Sequence, residues 1–431
     1  MKVLIVGSGG REDALTWALS RSPRIRLLRC APGNAGTSRR AEQVPIGAED
    51  VPSLVEHIRA ENYYLVVIGP EAPLVAGLGD QLRKEGVAVF GPDAAAARIE
   101  GSKIFAKELM RRHGVPTGDF RIFEELESAT EYLRSADTTY PLVVKADGLA
   151  AGKGVILADD AEQAIEAVKG MLQDGRFGDA GKKVLVEEML YGREASFFVL
   201  ADGETFVELA TCQDYKRALD GDDGLNTGGM GTYSPSAYLD EATRRTIVET
   251  VIQPTLDGLA AEGAPYRGVL YAGVMLTDDG PKVLEFNARF GDPETQVLLP
   301  RLDGDWLELL HACATGNLGS TPVGWKPEAA VCVVMAAGGY PGSYGKGLSI
   351  EGTDAAEALD GVEIFHAGTA LDDEGRLVTS GGRVLGVTAL GQDLDAARRR
   401  AYEAVDCIHW DHEHHRKDIA ADAVARMAEK V

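Results

Sequence analysis

The sequence predicts an α/β protein that opens with a parallel sheet, and three features carry that prediction. Four short apolar runs, at 3–6, 26–30, 65–68 and 87–90, alternate with helical patterns over the first hundred residues. Each run stops at a glycine-rich turn: Gly7-Ser8-Gly9-Gly10, Ala31-Pro32-Gly33-Asn34-Ala35-Gly36, Gly69-Pro70-Glu71 and Gly91-Pro92-Asp93. From about residue 101 the pattern changes to a helix followed by strand pairs, and after Trp325-Lys326-Pro327 comes a last unit of strands and a helix.

The 431 residues suffice for two to four compact units with a large core. Lysine and arginine number 44 against 67 acidic residues, a formal charge of −23. So acidic a chain repels nucleic acid and anionic membranes, and any anionic ligand must be held by a local cluster of donors. Five cysteines stand apart with no CxxC pair, which excludes a disulfide framework or zinc ribbon and fits a reducing compartment. No apolar run has the length of a membrane span, and no basic leader precedes the first strand, so a cytoplasmic location is expected.

In an open parallel sheet the four turns lie at the carboxyl edge, where ligands bind. Small residues there let a ligand approach backbone amides, and the first turn leads into a helix whose N-terminus favours an anion. Gly7-x-Gly9 matches the start of the dinucleotide fingerprint, but Glu12 occupies its third glycine position and no acid ends the second strand. A phosphate or phosphosugar fits this turn better than NAD.

A helix is expected over 103–112, stopped by Gly114-Val115-Pro116. Strands follow at 142–146, 155–157, 184–187, 195–200, 205–210, 269–276 and 282–287, then at 330–335 and 383–389, with a helix over 394–407.

Along Val283-Leu284-Glu285-Phe286-Asn287-Ala288-Arg289, alternation puts Glu285, Asn287 and Arg289 on one face. A carboxylate and an amide oxygen two residues apart suit a hard cation such as Mg²⁺, and the arginine can neutralise a phosphate in transfer. The same alternation describes the polar face of an ordinary edge strand, so both readings stand at this point. Lys145, inside the apolar run Leu142-Val143-Val144-Lys145-Ala146, needs an anionic partner if buried or a route to solvent if at an edge. The loop 148–154 is not a P-loop. Asp147 takes the first glycine position, Gly154 replaces the Ser/Thr, and a strand follows. A glycine-rich hairpin loop over phosphates is the alternative device.

The bend at Val186-Glu187-Glu188-Met189-Leu190 and Glu194 can serve an adenine edge and ribose, or form an acidic surface turn. Gln213-Asp214-Tyr215-Lys216-Arg217 with Asn226-Thr227-Gly228-Gly229-Met230-Gly231 reads as a polar turn and loop close to ligand. The run containing His409, His412, His414 and His415 lacks a cysteine at ligand spacing and reads as an exposed loop after a helix.

Together these stretches resemble the phosphoribosylamine–glycine ligase family, ATP-grasp enzymes of purine synthesis. The similarity runs almost end to end. It includes Gly9-Gly10-Arg11-Glu12, Glu100-Gly101-Ser102-Lys103, Lys145-Ala146-Asp147-Gly148 and Glu285-Phe286-Asn287-Ala288-Arg289-Phe290-Gly291-Asp292-Pro293-Glu294-Thr295-Gln296. The resemblance implies an ATP-grasp fold preceded by a Rossmann-like domain (1–101) and followed by a small α+β domain (327–431). The ATP-grasp domain would span 102–326, with a lid at about 120–191. It implies that ATP, glycine and 5-phosphoribosylamine give glycinamide ribonucleotide, ADP and phosphate through glycyl phosphate. Glu285 and Asn287 would then hold Mg²⁺, with Mn²⁺ as a substitute. ATP would meet Lys103, Lys145, Gly152, Lys153, Gly154, Glu187, Glu188, Leu190 and Glu194. The other substrates would face Gly9, Gly10, Arg11, Asn34, Gly36, Pro70, Glu71, Asp214, Lys216, Arg289, Gly291 and Asp292, with Arg289, Asp214 and Lys145 catalytic. A monomer or weak homodimer is expected. Another carboxylate–amine ligase, or a nucleotide sensor on the same fold, are the competing readings. The chain departs from the family pattern at Asp13, where histidine is usual, and at Leu225, where proline is usual. Asp13 falls in the first turn of a helix, close to the expected phosphate site, and would either weaken phosphosugar binding or point away.

Overall fold

The computed structural model describes residues 1–149, 154–174 and 178–429. Its N-terminal strands form a parallel sheet in the order Glu42–Gln43, Leu27–Pro32, Lys2–Gly7, Leu65–Ile68, Val89–Phe90. The strand order reverses direction between Lys2–Gly7 and Leu65–Ile68, so the turns after these two strands part and leave a crevice. Gly7 takes a φ of 132°, and a β-carbon there would lie 2.5 Å from Glu12 Cγ. Glu12 fills the turn: it accepts the Gly9 N–H at 2.6 Å and pairs with Arg11 Nε at 2.6 Å. A third glycine serves close packing of the helix on the strand; here a glutamate takes that position and its carboxylate occupies the turn.

The middle of the chain builds two antiparallel sheets. One has the order Phe206–Glu208, Arg193–Asp202, Arg267–Thr277, Gly280–Asn287. It shares its core with the parallel sheet, where Leu4, Val6 and Ile68 pack with Phe197, Leu270 and Phe286. The other, Phe120–Phe123, Val184–Glu188, Leu142–Ala146, Val155–Ala158, carries the helices Leu126–Leu133 and Ala161–Leu172. Its apolar core, including Val144, Val186, Ala164 and Met171, is its own. This lid sheet follows the helix Lys103–His113, which Ser102 caps by accepting the Phe105 N–H and Gly114 ends at a φ of 68°.

A third antiparallel sheet runs Gln213–Asp214, Gly231–Ser234, Ala329–Ala336, Arg383–Gly391, Val362–His366. Its first two strands come from well before residue 326, so the C-terminal unit is completed by chain from the middle unit. The helix Leu394–Val405 covers it through Leu394, Ala397 and Ala401. The histidine run is a strap on this unit: His414 pairs with Ala336 and its Nε2 lies 2.7 Å from Ala218 O.

Asp13 packs against Gly36 of the second glycine turn, where a β-carbon would collide with its Oδ2. It is fully buried, its Oδ2 accepts the His366 N–H at 2.7 Å, and Arg40 Nη1 stands 3.9 Å from Oδ1. The residue that departs from the family pattern therefore fastens the first helix, Gly10–Ser20, to the C-terminal sheet. Burial pushes its pKa up to about 7, against the opposing pull of the His366 amide and Arg40. The folded value lies above the ordinary 3.8. The native state thus binds a proton that the unfolded chain has released, and stability falls as pH rises between these values. In urea unfolding, Asp13→Asn should lose this slope and gain roughly 1–3 kcal/mol on the unmodified chain between pH 5 and 8. Parallel stability curves for the two proteins would refute the assignment.

Candidate active site

A cavity of about 620 Å³ lies where the crevice of the parallel sheet, the lid sheet and the strand Gly280–Asn287 meet. Gly273 pairs with Glu285 but Val274 pairs with Val283, so Leu284 is the extra residue of a bulge. Strict alternation is broken, and Leu284, Glu285, Phe286 and Asn287 all line the cavity. The Glu285 side chain is 40% exposed, into this cavity, with Lys216 Nζ at 3.7 Å. Burial would raise its pKa, yet Lys216, Lys145, Lys103 and Arg289 together hold it below the ordinary value. It is therefore an anion at neutral pH. Past the strand end, Arg289 pairs with Glu100 at 2.8 Å and Glu71 at 3.3 Å, and Glu100 also accepts the Ala288 N–H at 2.6 Å.

Lys103, Lys107 and Lys145 line the same cavity. Lys145 Nζ lies 3.0 Å from Glu187 Oε1 and donates to Leu284 O at 3.3 Å. Lys107 Nζ lies 2.6 Å from the other oxygen of Glu187 and donates to Thr117 Oγ1 at 2.7 Å. Lys103 donates to Gly148 O at 2.7 Å. Burial lowers the Lys107 pKa to about 8, with Glu187 resisting. One carboxylate thus serves two buried ammonium groups, leaving local positive charge that suits a phosphate.

Lys216 Nζ is 2.9 Å from Glu194 Oε1 and 3.8 Å from Asp214 Oδ2. Asp214 lies on the short strand Gln213–Asp214. Burial drives its pKa up to about 8, with Glu294 and Glu194 adding to the rise and Lys216 opposing it. Tyr215 between them donates to Asp422 at 2.5 Å, so the helix Ala421–Glu429 braces this segment from behind.

Models of the phosphoribosylglycinamide synthetase family match the chain in three consecutive parts. They are the N domain over 1–100, the ATP-grasp (A) domain over 101–295 and the C domain over 330–422. The chain belongs to this family. A phosphoribosylamine–glycine ligase of Brucella melitensis is 50% identical over 99% of both chains, and that of Allochromatium vinosum is 51% identical over 99% of both. The solved phosphoribosylamine–glycine ligase of Thermotoga maritima superposes with a TM-score of 0.84 at 36% identity, covering 97% of this chain and 100% of that one. A biotin carboxylase of Campylobacter jejuni shares the fold at 15% identity, with a TM-score of 0.72 over 96% of this chain and 93% of that one.

Membership in an ATP-grasp ligase family brings the use of ATP and a divalent metal. Among the described residues, no group of three or more His, Cys, Asp and Glu is placed to hold a metal. Glu285 and Asn287, whose side-chain oxygens could hold a hard cation alongside phosphate and water, line the cavity wall.

The residues expected from the sequence sort into two groups. Gly9, Arg11, Pro70, Glu71, Lys103, Lys145, Gly154, Glu187, Asp214, Lys216, Glu285, Asn287, Arg289 and Asp292 line the cavity. Gly10, Asn34, Gly36, Glu188, Leu190, Glu194 and Gly291 do not. Asn34 spends its amide on Ser8 O at 2.9 Å and His366 O at 2.8 Å, while Gly36 gives room to Asp13. Gly10 packs on Gln296 and Gly291 on Glu294. Glu188 reaches Lys282 at 3.4 Å, Leu190 is buried, and Glu194 acts through Lys216. Gly152 and Lys153 lie outside the described residues.

Glu100, Lys107, Tyr340 and Arg383 also line the cavity and were not expected there. Only Lys107 carried a usable signal: it follows Lys103 by four residues and shares its helix face. Replacing Glu187 with glutamine leaves Lys107 and Lys145 as two buried ammonium groups without their shared carboxylate. Glu187→Gln should cost roughly 3–5 kcal/mol of stability in urea unfolding. A loss below about 1 kcal/mol would show that the pairs are not buried ones.

Proposed function

We propose that the protein joins glycine to 5-phosphoribosylamine at the expense of ATP, giving glycinamide ribonucleotide, ADP and phosphate. The observation that carries this reading is one continuous cavity. Its wall carries the oxygens of Glu285 and Asn287, the lysines Lys103, Lys107 and Lys145, and residues of the glycine turns of the parallel sheet. Relatives of about half identity over the full length bear the name of this activity.

The chemistry follows from what a carboxylate lacks. Its carbon resists an amine until one oxygen becomes a leaving group. A glycine carboxylate oxygen attacks the γ-phosphorus, the bond to the bridging oxygen breaks, and ADP leaves with that electron pair. The amine nitrogen then attacks the acyl carbon of glycyl phosphate, phosphate departs, and the nitrogen loses a proton. Asp214, whose pKa burial raises, is the group we assign to receive that proton. Lys103 and Lys145 offset the triphosphate charge, and Arg289 faces the glycine carboxylate from its seat between Glu71 and Glu100. A Mg²⁺ ion, or Mn²⁺ in its place, held by Glu285 and Asn287 would shield the phosphate oxygens during transfer. The adenine is assigned to the bend at 187–190, which meets the cavity at Glu187, and the ribose to Glu194, which adjoins it through Lys216; the domain divisions are assigned to residues 101 and 326. A cytoplasmic monomer or weak homodimer completes the proposal; among the described residues no helix is long and apolar enough to cross a membrane.

ADP release should require glycine and phosphoribosylamine together. An acid-by-amine screen that found a better pair would replace the substrates, and calorimetric ATP binding without turnover would replace the enzyme by a sensor. Glu285→Gln should lower kcat by about 10²-fold or more with an unchanged far-ultraviolet spectrum. Near-normal turnover would remove Glu285 from the metal role.

A further inference from the structure

The peptide of Gly228 is gripped on both of its polar sides by the C-terminal unit. Its N–H donates to Tyr340 Oη at 3.1 Å, and its C=O accepts from Arg383 Nη1 at 2.7 Å. The same Nη1 donates to Asp292 O at 2.5 Å, while Nη2 stands 3.5 Å from Asp292 Oδ2. Asp292 in turn accepts the Arg11 N–H at 3.4 Å and Gln296 Nε2 at 2.9 Å. One guanidinium therefore fixes the 226–229 loop, the Asp292 turn and, through Asp292, the start of the first helix. The fit is close. A β-carbon on residue 228 would lie 3.0 Å from Arg383 Cζ, and Gly229 takes a φ of 115° with Pro293 beneath it.

Tyr340, Arg383, Gly228, Asp292 and Arg11 all line the cavity. They come from the C-terminal unit, from the loops it holds and, for Arg11, from the start of the first helix. The three lysines come instead from the lid sheet and the helix leading into it. With the triphosphate assigned to the lysines and the glycine carboxylate to Arg289, the wall built on Gly228 and Asp292 is left for the remaining substrate.

We propose that Tyr340 and Arg383 are positioning residues for the phosphosugar amine: by clamping the Gly228 peptide and the Asp292 turn they shape the wall against which that substrate is held. This rests on the ligase reading above. A wall held by hydrogen bonds alone loses its shape in proportion to the bonds removed. Losing one neutral hydrogen bond corresponds to about a fivefold change in an equilibrium, and losing charge-assisted ones to about ten- to hundredfold.

The test is steady-state kinetics on the full chain with each substrate varied in turn. Tyr340→Phe removes one hydroxyl and should raise KM for phosphoribosylamine about fivefold. Arg383→Met should raise it about ten- to hundredfold, and Arg383→Lys, which keeps the charge but not the fork, should recover only part of that. KM for ATP and for glycine should stay within about twofold in all three. An equal rise in all three KM values, or an unchanged phosphoribosylamine KM in Arg383→Met, would overturn the positioning role. Should Arg383→Met not fold, Tyr340→Phe decides alone, a fivefold selective rise supporting the role and no selective rise overturning it. An unmodified chain that releases no ADP with both substrates present would instead overturn the ligase reading, and this role with it.

Discussion

Arg289 stands where the strand Gly280–Asn287 leaves its sheet, and its guanidinium is held between two carboxylates of the N-terminal part of the chain. Glu71 opens the helix Glu71–Val75 that follows Leu65–Ile68, and Glu100 belongs to the helix Ala94–Gly101. Glu100 also takes the Ala288 N–H, so backbone and side chain of the same segment are anchored together. A cation only 18% exposed and set between two carboxylates tolerates little displacement, because each lost contact leaves a partly desolvated charge unpaired. That constraint sets the distance between the glycine turns and the Glu285–Asn287 oxygens. The remaining walls are arranged around it.

The lid sheet obeys a weaker one. Its apolar core is separate from the shared core of the parallel and central sheets. Its ties to the Gly280–Asn287 strand include the Thr117–Val283 bridge, the Lys145 bond to Leu284 O and the Lys282–Glu188 pair. A unit with its own core and polar attachments can shift as a body without opening a cavity in either core. The C-terminal unit is the opposite case. It borrows the strands Gln213–Asp214 and Gly231–Ser234 from the middle of the chain, and Asp13 and Asn34 staple it to the first sheet. Asp214 and the 226–229 loop therefore move with that unit.

Much of this was legible from residues alone where local chemistry decides. The runs expected at 3–6 and 65–68 fall within or on the strands Lys2–Gly7 and Leu65–Ile68, because apolar strands between glycine turns have few alternatives. Glu12 in the third glycine position, together with the lack of an acid ending the second strand, weighed against NAD; in the structure the Glu12 carboxylate accepts the Gly9 N–H and fills the turn. What the sequence hid depends on partners far along the chain. The bulge at Leu284 arises from how two strands register, not from the run of either. Asn34 reads the same whether its amide grips a ligand or a carbonyl 332 residues away, and the structure spends it on His366. Tyr340 and Arg383 enter the cavity only because the C-terminal sheet folds back across the 226–229 loop.

Charge shows the same logic at the scale of the whole chain. A net charge of −23 opposes a triphosphate at long range, and that opposition is screened within about 10 Å at ordinary ionic strength. Close to the site the balance reverses: Lys107 and Lys145 share the single carboxylate of Glu187, and Lys103 leans on a carbonyl. Because two ammonium groups are already desolvated around one acid, an incoming phosphate adds attraction without requiring a further cation to leave water. The same acids that give the chain its negative field hold these lysines and Arg289 in place. An acidic protein can in this way build a cationic site, provided each carboxylate in it is outnumbered or placed behind its cation, as Glu187 and Glu100 are.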